Sequence, residues 1–393
     1  MSKIKSSRLP TFGILVALAA LVLPGPKNAE GQISSVGMQQ IWIMRVVQLV
    51  KEPPGWAKIG DHETLAVAFS PDDQRLAVTI THHELMAVRT LRIRTHLFVV
   101  DVHSPETNFH QFDLPETCAA DLVWNESGNA LLVCGTLFRL TDGASCDVTV
   151  LPAMIRESSA FKAFWVDSEH VVRSNTGEIF DLTCKQVGKW PLDPNSQIAA
   201  IAASKGWVLL WRTKGRPQHT VCESSIVDRG SQQSPSGWPG RKLPCVSTML
   251  AVGADAVCSS LDGANITKGK LHCWAINGGM EIPVQKQARG YVLNQAATSS
   301  TRVVADKWEY DRDPWWDTLL FWWVPVPGFP PLPRRRAIFD LRSGNWISSW
   351  KPRIQGSRSP YIVDHPYHCA LSTGGEFLAE TGDGGLELYR LAP

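Results

Sequence analysis

Between Asp313 and Arg336 the chain reads DPWWDTLLFWWVPVPGFPPLPRRR. Trp and Arg are the side chains most concentrated at binding hot spots. The prolines stiffen the segment as polyproline-type chain, so less ordering entropy is lost when a partner docks. Trp315, Trp316, Phe321, Trp322, Trp323, Arg334, Arg335 and Arg336 therefore form the candidate binding set. The chemistry they suit is recognition of a protein or glycan surface. The same aromatics could instead pack as private core or touch a membrane, and Asp311, Asp313 and Asp317 disfavour an anionic membrane. Asp364, His365 and His368 carry ligand types of a metal site. Loop histidines are far more often solvated, so this trio is only a weak candidate and no metal is assigned. His82, His83 and Glu84 are weaker still, because neighbours on a strand point apart.

Familiar catalytic signatures are missing: there is no Gly-x-Ser-x-Gly elbow, no His-Glu-x-x-His and no phosphate loop ending Gly-Lys-Ser/Thr. No catalytic residue and no cofactor is assigned. Nine cysteines leave at least one thiol unpaired within the chain. If Leu261 pairs with Lys270, the antiparallel register sets Cys258 directly opposite Cys273, within disulfide reach. Cys222 and Cys245 flank a polar stretch, Gly215 to Pro244, and could staple its base. Cys118 and Cys134 face each other only diagonally, and Cys146, Cys184 and Cys369 have no evident partner.

The elements that must position these groups repeat along the chain. FSPDDQRLA at 69–77, WNESGNALL at 124–132 and LSTGGEFLA at 371–379 align without gaps. Each is an apolar residue, a polar turn and a new apolar strand. FWVDSEHVV at 164–172 and ATSSTRVVA at 297–305 fit the same register, IAASKGWVL at 201–209 fits with a shifted turn, and LAVGADAVC at 250–258 is the poorest copy. Internal repetition outranks other clues to architecture. Seven copies imply an all-β, seven-bladed β-propeller of four-stranded antiparallel blades.

After the last copy GGLELYRL supplies a third strand, so blade seven lacks a fourth. Residues 41–50, IWIMRVVQLV, are strand-forming and would close the ring as the outer strand of that blade. An amphipathic helix over 38–50 is the competing reading. The expected layout is 32–57 for the closing strand and linker. Blades one to seven follow at 58–106, 107–154, 155–192, 193–241, 242–284, 285–350 and 351–393. Insertions are expected at His82 to Leu97 in blade one, Gly215 to Pro244 in blade four and Trp308 to Arg336 in blade six.

The hairpin pattern resembles the WD-repeat-like propellers of bacterial exported proteins, including the TolB-type repeats. The likeness covers nearly all of the chain after residue 31, but only through the short motif. It implies a fold and is nearly silent on activity.

Lys3, Lys5 and Arg8 precede an apolar run from Phe12 to Leu23, which Pro24 ends. Ala29 and Gly31 offer small residues for cleavage before Gln32, so residues 1–31 read as a secretory signal. The run is shorter than the roughly 20 residues that span a bilayer. Removing 1–31 deletes four basic side chains and one acidic one, taking the formal charge from +2 to −1. No basic stripe for nucleic acid remains. The combined reading is an exported protein, periplasmic or secreted, that binds a protein or cell-envelope component without catalysing a reaction. The alternative is a propeller enzyme, a glycan hydrolase or lyase or a quinoprotein-like oxidoreductase, with its site at a channel mouth. Ligand identity and oligomeric state are not readable from the residues.

Overall fold

Each of the seven repeat copies falls on a tight hairpin between two strands. In the computed structural model the turn Ser70–Gln74 joins strands His62–Phe69 and Arg75–Met86 of blade one. The Ser70 hydroxyl accepts from the Arg75 N–H at 2.9 Å and Asp72 Oδ1 accepts from the Gln74 N–H at 3.1 Å. The fifth position of the three clearest copies is Asp73, Gly128 and Gly375, with φ of 56°, 68° and 75°. That left-handed turn conformation favours Gly or Asp, which explains the residue choice. In the copy with the shifted turn the positive φ moves one place on, to Gly206.

The structure describes residues 38–45, 62–86, 90–105, 109–114, 122–133, 135–148, 162–202, 205–214, 221–243, 248–251, 255–261, 270–284, 291–298, 301–309, 332–351, 369–382 and 385–392. They lie in one compact unit, Ser35–Pro393. Among them are seven four-stranded antiparallel sheets. First strands of neighbouring sheets touch in sequence order except at blades two and three, where Ala163–Trp165 touches the second strand of blade two, Ala130–Val133, and the first strand of blade seven, Cys369–Leu371, touches His62–Phe69 of blade one. The ring is a seven-bladed β-propeller.

Both faces of every blade are buried against a neighbour, so the strands read as continuous apolar runs rather than alternating ones. Leu76, Val78 and Ile80 pack on blade seven, whereas Ala77 between them packs on blade two. Seven apolar clusters result, one at each blade junction.

Blade seven takes its outer strand from the other end of the chain. Met38–Arg45 pairs antiparallel with Gly385–Leu391, from Met38 opposite Leu391 to Arg45 opposite Gly385. The closing strand is a strand and not a helix, and it begins three residues before the expected start; residues 46–50 lie outside the described set. Trp42 donates its ring N–H to the Val102 carbonyl of blade one at 2.8 Å and packs on the blade one–seven cluster.

Two expected insertions carry strand. In blade one, Arg75–Met86 and Thr90–Asp101 pair along their whole length, so His82 to Leu97 is an extension of the hairpin. In blade four, Gly215 to Pro244 holds the third strand, Val221–Asp228, and the fourth, Arg241–Lys242. Its polar composition conceals a buried Trp238, and Arg241 lies over the Trp238 and Trp274 rings at 5.6 and 4.7 Å. These cation–aromatic contacts tie blade four to blade five.

Leu261 does pair with Lys270, and Cys258 is bonded to its direct partner Cys273 across 4.1 Å between Cα atoms. Cys146, on the outer strand of blade two, is bonded to Cys184 in a turn of blade three. This second bridge joins two blades, and strand register within one blade gives no hint of it. Cys369 is a buried free thiol. Cys118, Cys134 and Cys245 lie outside the described residues, as does the side chain of Cys222.

Candidate functional site

Antiparallel blades divide their connections between two faces of the ring. Turns after the first and third strands lie on one face, and those after the second and fourth lie on the other. The first face is short-looped and cross-linked. Arg75 donates to the Gly128 carbonyl at 2.8 Å, Asn125 to Ser168 at 2.7 Å, Arg241 to Gly279 at 2.8 Å and Arg302 to Gly375 at 2.6 Å. Arg229 donates to the Val166 carbonyl. The Asp73 carboxylate accepts from the Thr373 and Gly374 N–H groups at 2.6 and 3.0 Å, closing the ring between blades one and seven. Six of the seven blade junctions are tied in this way. The segments 46–61, 149–161, 310–331 and 352–368 all join strand ends on the opposite face.

Blade six meets that second face at the ends of Arg302–Glu309 and Leu332–Asp340, which flank 310–331. The three consecutive arginines fall on the second of these strands. Successive strand residues point to opposite sides, and the structure separates them accordingly: Arg335 is exposed and Arg336 is fully buried. The Arg336 guanidinium donates through Nε to Asp306 Oδ1 at 2.6 Å, through Nη2 to Asp306 Oδ2 at 3.3 Å and through Nη1 to Glu380 Oε1 at 2.8 Å. The second Glu380 oxygen accepts from the Trp350 ring N–H at 3.0 Å.

Asp306 and Trp350 belong to blade six and Glu380 to blade seven, so one guanidinium ties the two blades together beneath the insertion. Burial lowers the Arg336 pKa, but Asp306, Cys369 and Glu380 outweigh it and hold the pKa above the usual arginine value. Burial pushes the Glu380 carboxyl up against the opposing pull of Arg336 and Trp350. Cys369, the strand partner of Glu380, is likewise pushed up by burial, which keeps it a thiol. Arg336 thus leaves the surface-binding set and becomes the anchor of the strand that carries Arg335. Its partners are 30 and 44 residues away in sequence, beyond the reach of any local pattern.

The other side of blade six, which packs on blade five, carries a cleft of about 390 Å³. Tyr291, Lys307 and Arg335 form one rung across three strands and line it together with Trp346 and Ser349. The Tyr291 ring stands edge-on to Trp346 with centroids 4.8 Å apart, and Phe339 supports Trp346 at 4.4 Å. The Trp346 ring N–H is buried with no hydrogen-bond partner among the described residues. The sequence reading missed Lys307, Tyr291 and Trp346. A rung becomes visible only once the strand register is known.

Trp315, Trp316, Phe321, Trp322 and Trp323 lie outside the described residues, as do Asp364, His365 and His368. Arg334 is placed on its strand, with its side chain outside the described set. His82 and His83 sit on the long blade-one ribbon opposite Arg94 and Ile93. Among the described residues no three His, Cys, Asp or Glu side chains converge as a metal site, and no helix is long and apolar enough to cross a membrane.

No protein-family model matches the chain, and no curated protein matches it. Among solved structures it is similar to BamB from Moraxella catarrhalis, at 12% identity and a TM-score of 0.43, over 90% of this chain and 98% of that one. It is also similar to the C-terminal WD40 domain of Sif2, at 11% identity and a TM-score of 0.43, over 85% of this chain and 97% of that domain. The fold assignment rests on the seven sheets and their closure rather than on these likenesses.

Proposed function

We propose that the protein is an exported, non-enzymatic binding scaffold that captures a protein or cell-envelope partner on the face bearing its long connections. The blade-six segment, with Trp315, Trp316, Phe321, Trp322 and Trp323, is its principal contact element, and Arg335 flanks it. The observation that carries this reading is the asymmetry of the ring. One face is stitched shut by turn-to-turn hydrogen bonds, and the other holds the long connections, where binding residues gather on a rigid scaffold. The Arg336 lock gives the blade-six segment a fixed base. Export is supported by the Cys146–Cys184 and Cys258–Cys273 bonds, which suit an oxidising compartment, together with the signal-like residues 1–31.

The test is capture from the native cell envelope with the wild-type chain and with residues 312–330 replaced by a short Gly-Ser linker. The reading expects a saturable partner that is lost in the replaced protein, while circular dichroism and melting stay unchanged. Retention of the partner by the replaced protein would contradict it.

A further inference from the structure

The two disulfides differ in kind. Cys258 and Cys273 are fully buried within blade five, whereas Cys146 and Cys184 are each partly exposed where blades two and three meet. Their sequence neighbours Ser145, Asp147, Thr183 and Lys185 are all exposed, so this bridge lies on a solvent-facing part of the ring. Access is one of the factors that decide which disulfide a thiolate attacks.

Cys184 also occupies a place that other blades give to glycine. It lies two residues before the fourth strand of blade three, Gln186–Lys189, with φ of 58°. Gly143, Gly279 and Gly344 hold the same place before the fourth strands of blades two, five and six, with φ of 68°, 61° and 69°. The Cβ of an L-residue disfavours this left-handed region. The closed bridge pins Cys184 there, and opening it frees the turn, which weights the equilibrium toward the thiols.

The blades joined by this bond have the smallest sheets. Their second and third strands are four residues long, against six to twelve in the other five blades. Short ladders supply few contacts, so the seam leans on its covalent clasp. Asn125 donates to the Ser168 carbonyl at 2.7 Å and the Trp165 ring N–H to the Val123 carbonyl at 3.0 Å across the same seam. Loss of the clasp therefore loosens the seam without opening the ring.

We propose that Cys146–Cys184 is a thiol-exchange site, a clasp between blades two and three that a dithiol reductant opens. One thiolate of the dithiol bonds to a bridge sulfur, and the S–S electron pair leaves on the other cysteine. The second thiol of the dithiol then displaces the first, so the dithiol becomes a disulfide and its two protons and two electrons pass to the cysteines. The site is separate from the blade-six segment, and its test does not depend on a partner captured there.

The full chain, folded and oxidised, is treated with dithiothreitol or with reduced thioredoxin, alkylated at intervals and read by peptide mapping. Cys146 and Cys184 should become alkylated at a rate proportional to dithiol concentration and about 100-fold or more faster than Cys258 and Cys273. Amides of Ala163–Trp165 and Glu178–Asp181 should then exchange hydrogen about ten-fold faster, while Ala256–Leu261 of blade five stays protected and circular dichroism is unchanged. Oxidised glutathione should restore the original protection. Cys146→Ser with Cys184→Ser should show the faster exchange with no reductant, and reduced wild type carries the comparison if that variant does not fold. Faster reduction by thioredoxin at equal dithiol concentration identifies a protein dithiol as the reductant, and the reverse order a small thiol; either supports the site. It is overturned if both bridges open together at a rate independent of dithiol concentration, which means that reduction waits for unfolding. It is also overturned if the reduced protein keeps the hydrogen-exchange pattern of the oxidised one.

Discussion

Replacing Arg336 with methionine removes the cation that pairs with the buried Asp306 and Glu380 carboxyl groups. Those two are 3% and 5% exposed, and Arg336 is 0% exposed. Breaking a buried ion pair from one side costs roughly 3–5 kcal/mol, because the remaining charge is stranded away from water. Here two carboxyl groups lose their cation, and part of the cost is relieved because Glu380 is already pushed toward its protonated form by burial. A loss of about 4 kcal/mol is the working figure, equivalent to a fall in Tm of roughly 5 °C for a chain of this size, at an unfolding entropy of about 2.1 cal/mol/K per residue. Converting all three groups to apolar residues (Arg336→Met, Asp306→Leu, Glu380→Met) should recover most of that loss, since apolar replacement of buried ion networks is often neutral. The Trp350 N–H would lose its acceptor in the triple variant, leaving a residual cost of about 1–3 kcal/mol. Differential scanning calorimetry on wild type, single and triple variants, with Arg335→Gln as a surface control, measures the series. If Arg336→Met melts within a degree or two of wild type, the guanidinium does not lock blades six and seven, and the anchoring argument fails.

The inter-blade bridge is a second target: Cys146→Ser with Cys184→Ser should cost about 4 kcal/mol by the loop-entropy estimate for a separation of 38 residues. Non-reducing peptide mapping that found either thiol alkylated in folded, oxidised protein would contradict the pairing. Deleting residues 32–46 removes the closing strand and uncovers the edge Gly385–Leu391, so light scattering should detect association through that edge. A truncated monomer with an unchanged melt would argue against closure through that strand. The turn carboxylates predict acid sensitivity. Burial opposes ionisation of Asp72 and Asp167, but it is outweighed for Asp72 by the Ser70 hydroxyl, the Gln74 N–H and Arg75, and for Asp167 by the Glu169 N–H and His170, so both fall below 3.8. Their stabilisation is complete above that value and is lost as pH falls through the lowered folded values. Glu380, pushed up, contributes in the opposite sense, favouring the fold below 4.5 and losing that effect as pH rises through its folded value. Urea midpoints should therefore drop on acidification below about pH 4, less steeply in Asp167→Asn, and a midpoint that stays flat would contradict the assignment.

What was legible in the residues was local. The hairpin motif recurs seven times, which makes the blade count readable, and in its three clearest copies the fifth position, Asp73, Gly128 and Gly375, is a left-handed turn. The Cys258–Cys273 bond followed from counting back along one antiparallel hairpin. What escaped the reading depends on distant pairs. Arg334, Arg335 and Arg336 look alike as a run, and only strand alternation, with Ile338 facing blade seven and Ala337 and Phe339 facing blade five, separates Arg335 from the buried Arg336. Asp306 and Glu380 are the partners that make this burial tolerable, and one of them belongs to another blade. Cys146 and Cys184 likewise meet across a junction. The blade-four strand Val221–Asp228 was missed because V-C-E-S-S-I-V-D lacks the apolar continuity of inner strands, being nearer the rim of its blade.

The claim that one face of the ring binds and the other is sealed is tested most directly by site-specific photo-crosslinking in the native envelope. One photoreactive residue replaces Trp322, in the blade-six segment, and another replaces Ser127, which is exposed in a stitched turn on the opposite face. A discrete adduct from position 322 and none from 127, both proteins melting like wild type, is the predicted result. An adduct from 127 with none from 322 would contradict it.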